Sequence, residues 1–120
     1  MQTQIKIVNL TPHAIVLQHS DGKQTTFPAP AKDENGKQEI ARVSVVSALI
    51  GNYAGADVFR SAFVEVIGLP AQEDGTYYIV SGMVLSELNG SRPDVIAPKT
   101  DDTAIRNEKG HVVAVTGWLA

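Results

Sequence analysis

The sequence predicts a mainly β (α+β) domain, with a small antiparallel barrel- or sandwich-like sheet and one short helix. Turn-forming residues recur at short intervals, and the segments between them are rich in β-branched and aromatic residues. Only one segment starts and stops with residues that suit helix caps. Short strands separated by frequent turns are typical of small barrels and sandwiches, which is why this fold class is expected.

The first half of the chain is expected to form four strands separated by turns. Asp21-Gly22 favours a two-residue type I′ turn, in which both central residues take a positive φ. The polar segment Lys32–Gln38 predicts an exposed loop around Asn35-Gly36. Leu49–Asp57 contains two glycines and gives no clear prediction. The four strands are Ile5–Val8, Ala14–Ser20, Lys23–Phe27 and Ile40–Val46.

The second half is expected to form further strands and the helix. Val58–Ile67 is predicted as a strand, although its apolar residues also fit a helical spacing. Ser81 suits the N-cap of a short helix, and Asn89-Gly90 suits its C-terminal stop. The remaining predicted elements are a strand at Thr76–Val80, the helix at Met83–Leu88, a strand at Asp94–Ala97, a hairpin loop at Asn107–Gly110 and a final strand at Val112–Leu119.

The composition indicates one small domain over residues 1–120. A chain of 120 residues that is 43% hydrophobic can bury one modest core. The net charge of −3 lacks the basic footprint of a nucleic-acid-binding protein. The lack of cysteine excludes disulfides, thiolate nucleophiles and cysteine-ligated metals. Residues 1–6 lack the layout of a signal peptide and no apolar run suits a membrane helix, so a cytoplasmic location is expected.

The segment Asn9-Leu10-Thr11-Pro12-His13 is the strongest functional clue in the sequence. It places three polar side chains of different chemistry at the end of an expected strand. These side chains can cap the strand by bonding to nearby backbone groups, or they can face a ligand, because binding sites collect where strands end in loops. Chemistry alone favours the structural turn.

A second group of residues suits a phosphate or a carboxylate. Ser81 stands where a helix start offers free N–H groups and the positive end of the helix dipole, although most N-cap serines only cap. Forked donors for the same anions are supplied by Arg42, Arg60, Arg92 and Arg106, if they converge in space. A single arginine is more often a surface residue or one half of an ion pair.

A set of short motifs runs in order through nearly the whole chain. The motifs are Asn9-Leu10-Thr11-Pro12-His13, Ala41-Arg42-Val43-Ser44, Val66-Ile67-Gly68-Leu69-Pro70, Tyr78-Ile79-Val80-Ser81, Arg92-Pro93-Asp94-Val95, Pro98 and an Arg106…Gly110 hairpin. This ordered set resembles a family of small, largely uncharacterised proteins from bacteriophages, prophages and some bacteria, against which the present chain carries extra residues at Lys32–Lys37. The resemblance implies a phage origin more firmly than an activity.

Small phage proteins of this size often act in counter-defence, and some sequester nucleotide-derived immune signals. By this analogy the chain is expected to be a non-enzymatic, homo-oligomeric binding protein for a small phosphorylated or nucleotide-like ligand. Neither a nucleic acid nor a membrane is expected as a partner, and neither a cofactor nor a metal is expected. The expected ligand-binding residues are Asn9, Thr11, His13, Arg42, Ser81, Arg92, Asp94 and Arg106.

Two alternatives to a binding protein stay open. The first is a hydrolase or lyase that degrades such a signal with His13 as acid or base. A Ser81–His13–Asp94 triad can be written down, but its flanking residues do not match a nucleophile elbow. The second alternative is a protein–protein module, either a virion component or an inhibitor of a host protein.

Overall fold

The computed structural model describes residues 5–120, apart from the side chains of residues 61–63. This part of the chain is mainly β with one short helix, so the predicted fold class is confirmed. The helix α1 spans Gly82–Leu88. The strands are β1 (Lys6–Asn9), β2 (Ile15–Gln18), β3 (Gln24–Phe27), β4 (Arg42–Tyr53), β5 (Ala56–Ile67), β6 (Thr76–Ile79), β7 (Val95–Pro98), β8 (Ile105–Arg106), β9 (Val112–Ala114) and β10 (Trp118–Leu119).

A four-stranded sheet in the order β1-β6-β7-β10 forms the centre of the molecule. β1 and β7 both pair with β6 in parallel, and β10 pairs with β7 in antiparallel orientation. The sheet is therefore open and mixed, where a wholly antiparallel sheet was expected. The connection through α1 accounts for the parallel pairing of β6 with β7, because a helical crossover returns the chain to lie parallel to the strand it has left. β1 pairs with β6 in parallel across the long connection that contains β2–β5.

The hydrophobic core lies between this sheet and α1. Val84 on the helix packs with Tyr78, Val80 and Val95 in one cluster of buried residues, which Leu10 joins from the segment after β1. Burial of each large apolar side chain contributes about 1.5–3 kcal/mol to folding. Ser81 caps α1, and Asn89 ends it in the left-handed conformation, as the sequence predicts.

β4 and β5 form a long antiparallel hairpin with 12 residues in each strand. The sequence gives no prediction for residues 49–57, which complete this hairpin. Ala54 and Gly55 join the strands with φ of 53° and 85°, as a type I′ turn requires. The expected strand end at Val46 is wrong, because a β-bulge follows this residue and the pairing resumes beyond it.

The β2–β3 hairpin forms as predicted, but its turn is different. The His19 N–H donates to the Lys23 carbonyl at 2.8 Å, and the Gly22 N–H donates to the His19 carbonyl at 2.9 Å. Gly22 has a φ of 87°, whereas Asp21 is outside the positive-φ region. The connection is therefore a three-residue loop that ends in a glycine, and the prediction of a type I′ turn at Asp21-Gly22 is wrong.

The predicted final strand, Val112–Leu119, is divided in two. Val115 leaves β9 to exchange two main-chain hydrogen bonds of 2.8 Å with Val16 and Gln18 of the β2–β3 hairpin. The chain then turns so that β10 can pair with β7. Trp118 packs edge-on against Phe27, with 5.7 Å between ring centroids, and so joins the central sheet to the end of β3.

The molecule is elongated because the β4–β5 hairpin extends from the central sheet. Its principal extents are 59 × 39 × 34 Å, and its radius of gyration is 17.6 Å. A compact chain of this length has a radius of gyration of about 14 Å. Within residues 5–120, no helix is long and apolar enough to cross a membrane. The prediction that residues 1–6 are not a signal peptide falls largely on residues 1–4, which lie outside the described residues.

Gly68 follows β5, and the need for a glycine at this position can be tested. Its φ is 82°, and a β-carbon at this position would collide with the carbonyl oxygen of Ile40. We expect Gly68→Ala to lower the free energy of unfolding in urea by about 2–4 kcal/mol, because the backbone must move. Gly110→Ala is the control, since Gly110 has a φ of 81° and open space around it, and should lose about 1 kcal/mol. Equal losses would contradict the role of the Ile40 contact.

Candidate functional site

The Asn9 side chain holds three segments of the chain together. Asn9 is buried, with 6% of its surface exposed. The Nδ2 group donates to the His13 carbonyl at 2.8 Å and to the Phe27 carbonyl at 3.0 Å. The Oδ1 atom accepts from the Thr11 N–H at 2.9 Å and lies 2.7 Å from the Thr11 hydroxyl. The amide is thus fully used inside the protein, which supports the structural interpretation of the turn.

Thr11 completes the same turn, and His13 contributes to it through its backbone. The buried Thr11 hydroxyl lies 2.9 Å from the His13 carbonyl, so its proton can be donated either there or to Asn9. The imidazole of His13 belongs to an exposed residue. The turn therefore brings Asn9, Thr11 and His13 together, but it leaves only the His13 side chain open to solvent.

This turn also holds two segments that lead into a groove on the surface. Through Asn9 it holds the Phe27 carbonyl, just before Pro28-Ala29-Pro30. Through its backbone it holds Ala41, whose N–H donates to the Leu10 carbonyl at 3.0 Å, just before Arg42. Both segments continue directly into residues that line the groove. The Asn9–His13 turn therefore anchors two chain segments that lead into the lining of the groove.

The groove has a volume of about 990 Å³ and opens beside the polar loop 32–38. Asp33 shapes the loop, because its Oδ1 accepts from the Asn35 and Lys37 N–H groups at 2.9 Å each. Gln38 closes the loop by donating from Nε2 to the Pro30 carbonyl at 2.9 Å. The groove is lined by Pro30, Ala31, Lys32, Asp33, Lys37, Gln38, Glu39, Ile40, Arg42, Ile67 and Gly68.

The lining of the groove is locally basic on an acidic chain. The lining contains three cationic side chains, of Lys32, Lys37 and Arg42, and two carboxylates, of Asp33 and Glu39. The chain as a whole has a net charge of −3. Within the described residues the ion pairs are Arg92–Asp94 and Lys99–Asp101, so none of the three groove cations is neutralised in that way. The three cationic side chains are therefore able to turn toward an anion that enters the groove.

Arg92 and Asp94 form a partly buried ion pair, and neither residue lines the groove. Arg92 donates from Nε and Nη2 to the two Asp94 oxygens at 2.9 and 2.8 Å, and from Nη2 to the Pro70 carbonyl at 2.8 Å. The hydrogen bonds from Arg92 lower the pKa of the Asp94 carboxyl from its ordinary value, and the same pairing raises the pKa of Arg92. These contacts attach the loop after β5 to the start of β7.

The remaining predicted site residues serve local structure at other places. Ser81 Oγ accepts from the Val84 N–H at 3.3 Å as the cap of a seven-residue helix. Arg106 donates at 3.1 Å to the Gly110 carbonyl in the β8–β9 loop, and at 3.1 Å to the Thr100 carbonyl in the segment before β8. The predicted arginines thus have separate partners, and only Arg42 lines the groove. Their assignment as ligand-binding residues stays a prediction.

The structure adds Lys32, Lys37 and Gln38 to the candidate site. The sequence signal for them was the polar segment Lys32–Gln38. For catalysis, the Ser81–His13–Asp94 triad is not formed by the described residues, because Asp94 pairs with Arg92 and Ser81 bonds to Val84. The described residues also contain no group of three or more histidines and carboxylates placed to hold a metal ion.

Asn9 can be tested as the fixed point of the turn. We expect Asn9→Ala to lower the free energy of unfolding by about 3 kcal/mol, because the Thr11 N–H and two carbonyls lose a buried partner. Urea unfolding followed by circular dichroism measures this loss. Asn35→Ala, on the exposed loop, should stay within about 0.5 kcal/mol of the wild type. A loss at Asn9 no larger than at Asn35 would rule out this role.

The Arg92–Asp94 pair predicts a pH dependence of stability. Because the folded pKa of Asp94 is lowered, its contribution is present above the unfolded value of about 3.9 and is lost as the pH falls through the folded pKa. Asp94→Asn should therefore cost about 2 kcal/mol at pH 7, and the difference from the wild type should narrow below about pH 4. Denaturant unfolding at both pH values measures it, with the exposed Asp102→Asn as control. A difference that is constant with pH would contradict the prediction.

The chain was compared with protein-family models, with curated proteins and with solved structures, and no match was found in any of the three. The resemblance to a phage protein family therefore stays a prediction from the sequence motifs.

Proposed function

We propose that the groove binds a small phosphorylated or nucleotide-like ligand and releases it unchanged. The observation that carries this proposal is the placement of Lys32, Lys37 and Arg42 around one groove on a chain that is otherwise acidic. Phosphate oxygens are the groups that such a set recognises best, since a guanidinium binds two of them through parallel hydrogen bonds and an ammonium adds charge.

The shape of the groove supports a ligand with an apolar part as well as charge. Ile40 and Ile67 are half-buried and provide an apolar surface beside Arg42. A volume of about 990 Å³ is near the upper end of the range of about 300–1,000 Å³ that is usual for small-molecule sites. A nucleotide fits this division, with its base on the isoleucines and its phosphates at the cations.

Binding without turnover is favoured by the use of the nearby polar groups. Asp33 is occupied with the N–H groups of its own loop, and the Asn9–His13 turn uses Asn9 and Thr11 in internal hydrogen bonds. The charged groups that remain on the groove are those of Lys32, Lys37, Arg42 and Glu39, and the three flexible cations suit binding more than proton transfer. Sequestration of a nucleotide immune signal from the host is the role that the phage-like motifs add to this proposal.

Isothermal titration tests the groove with a panel of cyclic dinucleotides and ADP-ribose derivatives. We expect saturable heat with at least one compound, and a loss of affinity of about 10-fold or more in Arg42→Ala, because a charge-assisted hydrogen bond contributes about 1.5–3 kcal/mol. Lys37→Ala should weaken binding less. Lys109→Ala is the matched control, since it removes one exposed cation from the β8–β9 loop and should leave the affinity unchanged.

Chromatography of the bound compound separates binding from turnover. After incubation and denaturation, an intact compound indicates sequestration, and a changed compound indicates an enzyme. Equal weakening by Arg42→Ala and Lys109→Ala would show that only general charge is involved and would reject the groove as the site. The absence of heat with every member of the panel would reject the proposed ligand class.

A further inference from the structure

Along most of its length, the β4–β5 hairpin has one face without charged residues and one mixed face, which carries charged residues together with Val46 and Ile67. Directly opposed residues of an antiparallel pair lie on the same side, and neighbours along a strand alternate between sides. The pairs Val43–Val66, Val45–Val64 and Leu49–Phe59 therefore share one side, together with Ser47. We call this side the apolar arm face.

The opposite side of the hairpin carries the charged residues. Arg42 begins it, the Ser44–Glu65 pair follows, and the Ala48–Arg60 pair lies farther out. Between Val43 and Leu49, the apolar arm face has no charged side chain on β4 or at the β5 positions paired above. Such a division is normal for a sheet that covers a core on one side and meets water on the other.

Only the base of the apolar arm face has a core to cover. Val43 and Val66 are half-buried and pack against the core cluster beside α1. Farther out, Val45 is 50% exposed, Leu49 is 61% exposed and Phe59 is 58% exposed. The same face thus continues from the core into solvent. A two-stranded ribbon with an uncovered apolar face is only marginally stable in water, so this part of the hairpin needs a covering layer.

We propose that the apolar arm face packs against the same face of a second copy of this chain. The exposed area supports this occupant: Val45, Leu49, Phe59 and Val64 leave roughly 400 Å² of apolar surface open, close to the apolar share of the roughly 800 Å² per partner in a standard interface. The charge distribution supports it as well, since two copies of an uncharged face meet without repulsion and leave Arg60 and Glu65 in water.

The dimer has a simple physical construction. Two ribbons stacked about 10 Å apart form a small sandwich whose inner side chains come equally from both copies. One patch of surface serves both partners, as two-fold symmetry requires. This inference rests on the β4–β5 hairpin alone, so it is independent of the ligand proposed for the groove.

Two adjacent valines provide a matched test of the proposal. Val45 and Val46 are 50% and 55% exposed and point to opposite sides of the same strand. Sedimentation velocity on the full chain, over a concentration range of about 100-fold, should show a dimer for the wild type and for Val46→Asp. Val45→Asp should shift the population to monomer, with a dissociation constant at least about 100-fold higher, because a buried unpaired carboxylate is costly.

The folded state of each variant is checked by urea unfolding, and Phe59→Asp repeats the test from the opposite strand. A wild type that remains monomeric over the whole range overturns the proposal, whether or not vesicles or another protein then bind the hairpin. Equal dissociation by Val45→Asp and Val46→Asp also overturns it, because the contact would then not belong to the apolar arm face. Dissociation by Val45→Asp and Phe59→Asp but not by Val46→Asp supports it.

Discussion

The buried amide of Asn9 determines how the first half of the chain is arranged. Its four polar contacts join the end of β1 to the Thr11–His13 backbone and to the last residue of β3. Asn suits this position because one small side chain supplies two donors and an acceptor. Aspartate would place an acceptor against two carbonyls, and leucine would leave them without a partner. The route of the chain into β2 and out of β3 depends on this one group.

The cationic side chains of the molecule fall into two groups, those held by internal hydrogen bonds and those exposed on the groove. Arg92 is fixed by Asp94 and Pro70, and Arg106 is fixed by the carbonyls of Gly110 and Thr100. Arginines of this kind stabilise loops by bonding to backbone oxygens. The groove instead presents side chains that are exposed and outside the ion pairs of the described residues. The cations with internal partners therefore belong to the framework of the fold, and the exposed cations belong to the candidate site.

Local chemistry explains which parts of the fold could be predicted from the sequence. The cap at Ser81, the stop at Asn89 and the turns at Asn35-Gly36 and Asn107–Gly110 follow from interactions within a few residues. Pairing between distant strands has no such local signal, so the parallel partners of β6 were not expected. The outer half of the β4–β5 hairpin was missed because its glycines and its Ala54-Gly55 turn resemble a loop. The placement of Lys32, Lys37 and Arg42 on one groove could not be predicted, because it depends on the path of the chain between these residues.

The pairing of β1 with β6 has a consequence for how the protein folds. Lys6 lies beside Thr76, so the central sheet joins residues about 70 positions apart, and closing such a loop has a large entropic cost before any contact compensates for it. The two hairpins β2–β3 and β4–β5, by contrast, need only near neighbours. During synthesis both hairpins can form before β6 has left the ribosome, and β1 has no partner strand until then. Assembly of the core is then a late and slow event, and the apolar side of the longer hairpin is in water throughout that interval.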